Sequence, residues 1–486
     1  MKMKSRLLPT IATAAIALLT LITVTTLTHR AFADDSLDPA TRQLSHDIFK
    51  QLIEINTSHS VGSTTVAAEA MAKRLTDAGF PAADVQVLVP STNPKKGNMV
   101  ARYRATGPGA HKKPILFICH LDVVEAKRSD WTLDPFTFTE KDGYFYGRGT
   151  EDIKDGDAFL VTSFIRLKKE NYQPDRDLIL ALTADEEGGN DNGVDWLLKN
   201  HRDLIDAEFI LNPDAGNFEM DHGKKILVGI QAAEKVYQDF ELKVTSPGGH
   251  SSLPTSDNAI ADLAEGLTRL AHYKFPFTPT EVTRAYFERE SNIVGGQEGA
   301  DMKAILRDPP DQAALDRLSA SPYYNAHLRT TCVPTMLEGG HAPNALPALA
   351  TANVNCRIIP GTPINEVQAT LVKIIDSKRI EISPVQSGSI GGRPAPPSPL
   401  LPGVMKPLEK AAAEMWPGVP VVPVMDTGAS DGAISRAAGI PTYGVAGAFI
   451  DLDDDRSHGR DERLPVNSFY DGVQFYYLFI KALSSP

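Results

Sequence analysis

A disulfide scaffold is the first architecture this sequence excludes, since three cysteines in 486 residues cannot staple together a fold short of core. It also lacks a repeat at solenoid or propeller period and any low-complexity tract. Its 42% hydrophobic and 23% charged residues are the proportions of an ordinary globular chain. No local basic cluster offsets the formal charge of −12, so nucleic acid, a polyanion, would be repelled. Beyond the N-terminal leader no segment has the length and apolarity of a transmembrane helix. The chain can bury a sizeable core, and its length makes two domains a better expectation than one.

What is there begins with the leader. Lys2, Lys4 and Arg6 precede a mostly apolar stretch from Leu7 to Leu27, and Ala31-Phe32-Ala33 supplies the small residues of a signal peptidase site. Cleavage after Ala33 is expected, placing the folded part in the periplasm or outside the cell, with no membrane attachment afterwards. An uncleaved anchor is the alternative, because the stretch is long enough to span. Removing Lys2, Lys4, Arg6 and Arg30, with no acid among them, takes the formal charge from −12 to −16.

Of the cysteines, Cys119 lies in the apolar run Ile115–Cys119 and reads as a packed thiol on a buried strand. Cys332 and Cys356 flank a turn-like segment containing Gly339, Gly340, Pro343 and Asn344. Two antiparallel strands joined there would set them nearly opposite, within reach of a bridge in an oxidising compartment; whether it forms is left open.

Along the chain, residues 38 to 79 show helical spacing with Gly79 as a C-terminal stop. Strand-like runs follow at Val85–Val89, Asn98–Arg104, Ile115–Cys119, Leu178–Thr183 and Phe209–Leu211, with a helical segment from Asp152 to Lys169. This alternation predicts an α/β class with a mixed-sheet catalytic domain. Near Glu234 the pattern changes to strand, helix, two strands, helix, strand, which matches a small ferredoxin-like α+β domain inserted in the larger one. The expected boundaries are 1–33 signal peptide, 34–233 first catalytic part, 234–386 lid and 387–486 second catalytic part. A Gly-, Pro- and Ser-rich stretch from Gln386 to Pro402 suits the return linker.

Four clusters of potential ligands sit directly after predicted strands or turns, where open α/β sheets place their sites. They are His120-Leu121-Asp122, Asp152 after Gly147-Arg148-Gly149, the Glu186-Glu187 pair, and Asp214. Each alone reads as a structural histidine or an acidic turn. Together, His and carboxylate donors suit zinc, and two such ions close together need a shared carboxylate, giving a site for metal-activated water.

The strings HLDVV, YGRGTEDIKDG, ADEEGG, SPGGHSSLP, GGHAPNALP and SHGRDE occur in the order and at about the spacings of the zinc peptidases that include aminoacylase, carnosinase and carboxypeptidase G. The mature chain resembles that family over nearly its whole length. The resemblance implies two divalent ions, zinc by preference, bridged by Asp152, with His120 and Asp214 on one and Glu187 and His458 on the other. It makes Glu186 the general base. Asp122 is expected to accept the second ring proton of His120 and fix its tautomer. The resemblance gives His250 the oxyanion, often that of a partner subunit in a homodimer, and gives Asn344 and Arg357 the substrate's amide region and terminal carboxylate. Gly428-Ala429-Ser430-Asp431 resembles a loop beside that carboxylate pocket.

Two features depart from the family pattern. Asp155 intervenes before Gly156 and adds a charge near the metals, and Asp206, Glu208 and Glu219 compete with Asp214 for the third acidic ligand. The expected activity is hydrolysis releasing a C-terminal amino acid or an N-acyl group from a small peptide or N-acyl amino acid. The alternatives are an N-acyl amino acid synthase/hydrolase working on fatty acyl groups and a non-catalytic periplasmic binder of peptide or metal.

Overall fold

The computed structural model describes residues 37–385 and 392–485. The expected signal peptide lies outside the described residues, as does the 386–391 portion of the expected linker. Among the described residues no helix is long and apolar enough to cross a membrane.

The large sheet is mixed. At its centre Ile115–His120 pairs in parallel with Leu178–Thr183 and with Phe209–Asn212, which in turn pairs in parallel with Thr442–Gly444. Asn98–Tyr103 and Val85–Leu88 extend one side antiparallel. On the other side Val421–Asp426 runs parallel to the long strand Lys224–Glu234. The central strands Ile115–His120 and Leu178–Thr183 are buried at every position, as expected of near-continuous apolar runs covered on both faces. One face is covered by the helices Pro39–Glu54, Lys154–Lys169 and Val466–Ser484, whose Phe49, Phe159 and Phe469 meet in one aromatic core. The first helix starts where Asp38 caps the backbone N–H groups of Ala40 and Thr41 and Pro39 fills the first position. The 38–79 region forms two helices, with Gly79 in the left-handed region (φ +96°) just past the second, as its position predicts.

The second sheet has four antiparallel strands in the spatial order Thr331–Gly339, Leu349–Ile358, Val236–Thr245, Ile380–Val385. Counted along the chain this is second, third, first, fourth, with Ala259–His272 and Ile364–Ile375 packed on one face: the expected ferredoxin-like arrangement. Cys332 and Cys356 stand directly opposite in this ladder and are joined by a disulfide.

Between 281 and 328 the sequence reading assigned no element. Four helices occupy it, Glu281–Val294, Gly296–Ile305, Gln312–Leu318 and Pro322–Leu328. They pack on the large sheet, not the small one, through Phe287, Met302, Leu315 and Leu328 against Leu227, Val422 and Val424. The signal was present: a Thr280/Thr283 capping box, then Val282, Tyr286 and Phe287 at helical spacing.

Candidate metal centre

The carboxyl ends of three parallel strands bring His120, the Glu186-Glu187 pair and Asp214 together, and turns outside the strands add Asp152 and His458. His120 ends its strand with Nε2 at 3.2 Å from Asp152 Oδ1 and 3.5 Å from Asp214 Oδ1. His458 Nε2 lies 2.9 Å from Asp152 Oδ2 and 2.9 Å from Glu187 Oε2. One oxygen of Asp152 therefore faces each histidine, as a bridging carboxylate requires. Of the acids competing for the third position, Asp214 is the one beside His120, whereas Asp206 faces Lys113 at 3.2 Å, Glu208 pairs with Arg176 and Glu219 lies 3.5 Å from the Asn217 amide.

The donor set fits divalent ions. His120, Asp152 and Glu187, and likewise His120, Glu186 and Asp214, each offer ligand atoms within 4.8 Å of one another. His120 Nε2 and Asp152 Oδ1 are buried and, though they face each other at 3.2 Å, make no aligned hydrogen bond, which polar atoms seldom tolerate unless another group satisfies them. Electrostatics agree. Burial disfavours a charged His120 ring, yet Asp214 and Asp152 outweigh it and raise its pKa well above the usual value. Hydrogen bonds to Asp152 and Glu187 push His458 up to about 10. Burial, reinforced by Asp214, pushes the Glu186 carboxyl well up. So much converging negative charge draws cations.

Two loops carry these ligands, and a buried ion pair locks them together. The Glu462 carboxylate accepts the backbone N–H groups of Gly149 (3.1 Å), Glu151 (2.8 Å) and Asp152 (3.2 Å) and pairs with Arg148. The Arg148 guanidinium in turn donates to the carbonyls of His458 (3.3 Å) and Gly459 (2.9 Å). Both residues sat inside strings noted in the sequence, but their pairing across more than 300 positions did not show there. The Glu186-Glu187 turn is shaped by Asp185, held by Lys96 and by the Asp191 N–H at 3.0 Å. Gly189 (φ +112°) closes it where a Cβ would collide with the Asp185 carboxylate.

Asp122 departs from its expected role. The ring nitrogen His120 Nδ1 meets the Asp122 backbone carbonyl at 2.9 Å, whereas the carboxylate is 3.8 Å away. The carboxylate instead accepts the backbone N–H groups of Glu186 and Glu187, each at 3.1 Å. A main-chain acceptor two residues on reaches the ring first, leaving the side chain free to fix the neighbouring acidic turn. Asp155 is buried, and that burial, with Glu462 and Asp152 nearby, raises its pKa well above the usual carboxylate range.

A cleft of about 530 Å³ opens over the ligands. Asp152, Glu186, Glu187, Asp214 and His458 line it, together with Gly428, Ala429 and Ser430 of the loop singled out in the sequence. Arg357 adjoins its edge, donating to the carbonyl of Thr427 at 3.2 Å and lying over the Tyr237 ring at 4.6 Å. His250 and Asn344 are not among the lining residues. They meet on the two-stranded ladder of Gly249–His250 with Ala345–Leu346, where the Ser251 N–H donates to the Asn344 carbonyl at 3.0 Å, and both are exposed. Asp431, the last residue of that loop, is buried and accepts from the Asn192 amide at 2.6 Å, while two cleft residues had no signal in the sequence: Tyr323 and His327, which line it from the 281–328 helices.

Residues 116–482 match the Peptidase family M20/M25/M40. The chain belongs to this family. Probable carboxypeptidase S-like 2 of Dictyostelium discoideum is 29% identical over 408 residues, spanning 79% of this M20 chain and 75% of the relative. N-fatty-acyl-amino acid synthase/hydrolase PM20D1 of Homo sapiens is 28% identical over 381 residues, spanning 76% and 74%. An M20 family metallo-carboxypeptidase from Sulfolobus solfataricus superposes with a TM-score of 0.64 at 18% identity, covering 92% of this chain and 99% of that one. The M20 chain is thus a hydrolase of the metallopeptidase type, as the six strings imply.

Proposed function

We propose that this M20 hydrolase is an exported zinc carboxypeptidase that releases the C-terminal amino acid from small peptides or N-acyl amino acids. The observation that carries the reading is the position of Glu186, within the same 4.8 Å group as His120 and Asp214 and facing the cleft. Two divalent ions, zinc by the nature of the donors, would be held by His120, Asp214, Glu187 and His458 with Asp152 shared, and would polarise the scissile carbonyl and acidify water. Glu186 takes the proton of the attacking water and returns it to the leaving amine. Asp122 holds the backbone on which that carboxylate is mounted. Arg357 and the 428–430 loop receive the substrate carboxylate, for which a guanidinium is the suited partner.

Among the lining residues only Ala215, Ala429 and Tyr323 present largely apolar side chains. That lining favours a short substrate over a fatty acyl chain, which needs continuous apolar surface. The exposed His250 and Asn344 suit a homodimer in which each subunit's ladder completes the other's cleft. Export is supported by the leader and by the Cys332–Cys356 disulfide, a bond of oxidising compartments.

Glu186→Gln tests the mechanism. Turnover of blocked dipeptides should fall by about 100-fold or more, while metal content measured on the purified protein stays at the wild-type level. Unchanged turnover refutes the assignment.

A further inference from the structure

The short helix Pro322–Leu328 brings two rings, one turn apart, to the cleft. Ser321 caps it and Pro322 opens it, so Tyr323 and His327 share a face. Their ring centroids are 4.4 Å apart, and His327 stacks on Tyr286 at 5.5 Å with an interplanar angle of 19°. His327 Nδ1 lies 2.7 Å from the Tyr323 carbonyl, which only accepts, so that nitrogen carries the ring proton. Burial first, and then Lys235 nearby, lower the His327 pKa, leaving a neutral ring. Tyr323 itself is 49% exposed. It is the larger and more exposed of the two aromatic rings lining a cleft otherwise rich in polar groups such as Asn217, Gln231 and Asp426.

The helix is held in place from the strand end that also builds the loop side of the cleft. Lys235 Nζ donates to the carbonyls of Ala326 and Arg329, each at 2.9 Å, and to Thr331 Oγ1 at 3.1 Å. The preceding residue, Glu234, accepts the Ser430 hydroxyl at 2.5 Å. Ser430 and Thr427, the residue that receives Arg357, both line the cleft with the two rings. The ring pair accordingly flanks the side where a substrate carboxylate would be anchored.

We propose that Tyr323 and His327 form an aromatic wall that selects substrates whose released C-terminal residue carries an aromatic side chain. The inference rests on the carboxypeptidase reading above and names its substrate class. An aromatic side chain gains offset or edge contacts from such a wall that an aliphatic one does not.

The test compares kcat/KM of the metal-loaded enzyme on N-acetyl-glycyl-phenylalanine and N-acetyl-glycyl-alanine, with N-acetyl-phenylalanyl-glycine and N-acetyl-glycyl-lysine as controls. Wild type should prefer C-terminal phenylalanine. Tyr323→Ala should lower the phenylalanine-to-alanine ratio by about fivefold to tenfold, and Tyr323→Phe should keep it within about twofold of wild type. Tyr323→Leu, which fills the same space without a ring, should fall between and serves if the alanine variant does not fold. An unchanged ratio in Tyr323→Ala and Tyr323→Leu, with turnover retained, overturns the wall while leaving the carboxypeptidase reading intact. Preference for lysine, or a Tyr323 effect confined to phenylalanyl-glycine, overturns it as well. Wild type cleaving none of the four overturns the carboxypeptidase reading and this inference with it.

Discussion

Replacing Glu462 by Gln should destabilise the protein far more than its neutral, isosteric character suggests. The Arg148–Glu462 pair is almost fully buried, at 3% and 0% side-chain exposure. Gln leaves Arg148 charged, since a guanidinium cannot shed its proton in a protein, and breaking a buried pair in this way costs about 3 to 5 kcal/mol. The reverse substitution is asymmetric. Burial already pushes Glu462 up to about 7 even beside Arg148, so in Arg148→Met the carboxyl takes up a proton and the stranded charge disappears. The cost there is mainly the lost hydrogen bonds to the His458 and Gly459 carbonyls, about 2 to 3 kcal/mol in all. The double variant strands no charge, so it should be about as stable as Glu462→Gln alone despite the second substitution, a coupling of about 2 to 3 kcal/mol. Urea unfolding of the four proteins measures the cycle at pH 7.5, about half a unit above that pKa, where wild-type Glu462 is mostly ionised. Additive costs, or a Glu462→Gln penalty under about 1 kcal/mol, would refute the claim that this pair locks the ligand loops.

Asp122→Asn should weaken metal binding about 10- to 100-fold, because an amide nitrogen would face one of the two backbone N–H groups that the carboxylate now accepts; calorimetric metal titration reads this, and wild-type affinity would contradict the positioning role. Glu290 offers a pH signature away from the metals: burial, then Glu219 and Glu298, push it up to about 7. The folded state therefore holds this proton more tightly than the unfolded chain, and the stability it contributes is full below about 4.5 and lost as pH rises through about 7. Glu290→Gln should match wild type near pH 4.5 and exceed it at pH 8 by about 1 kcal/mol, discounted for its partial exposure. Parallel stability curves for the two proteins across that range would contradict the sign.

The chemistry of this protein was legible because metal ligands must follow strand ends and turns, and those leave short local strings. His120, Asp152, Glu187 and His458 were each singled out as candidate ligands by such a string, and the alternation of strands and helices announced both sheets. Asp214 was harder: several acids competed within a few residues, and only the packing that brings one of them to His120 separates it from Asp206 and Glu208. The sequence by itself determined the ligand types, the hydrolase family and the two-sheet architecture, all of which rest on contacts or periodicities a few residues long. Tertiary structure decided that Asp122 braces a backbone turn instead of a ring, that Arg148 and Glu462 clamp two distant loops, and that helices between 281 and 328 supply a wall of the cleft. Each of these depends on groups meeting across long stretches of chain, 64 residues for Asp122 and Glu186 and 314 for Arg148 and Glu462, and no local pattern encodes which distant partner a buried charge or an exposed ring will find.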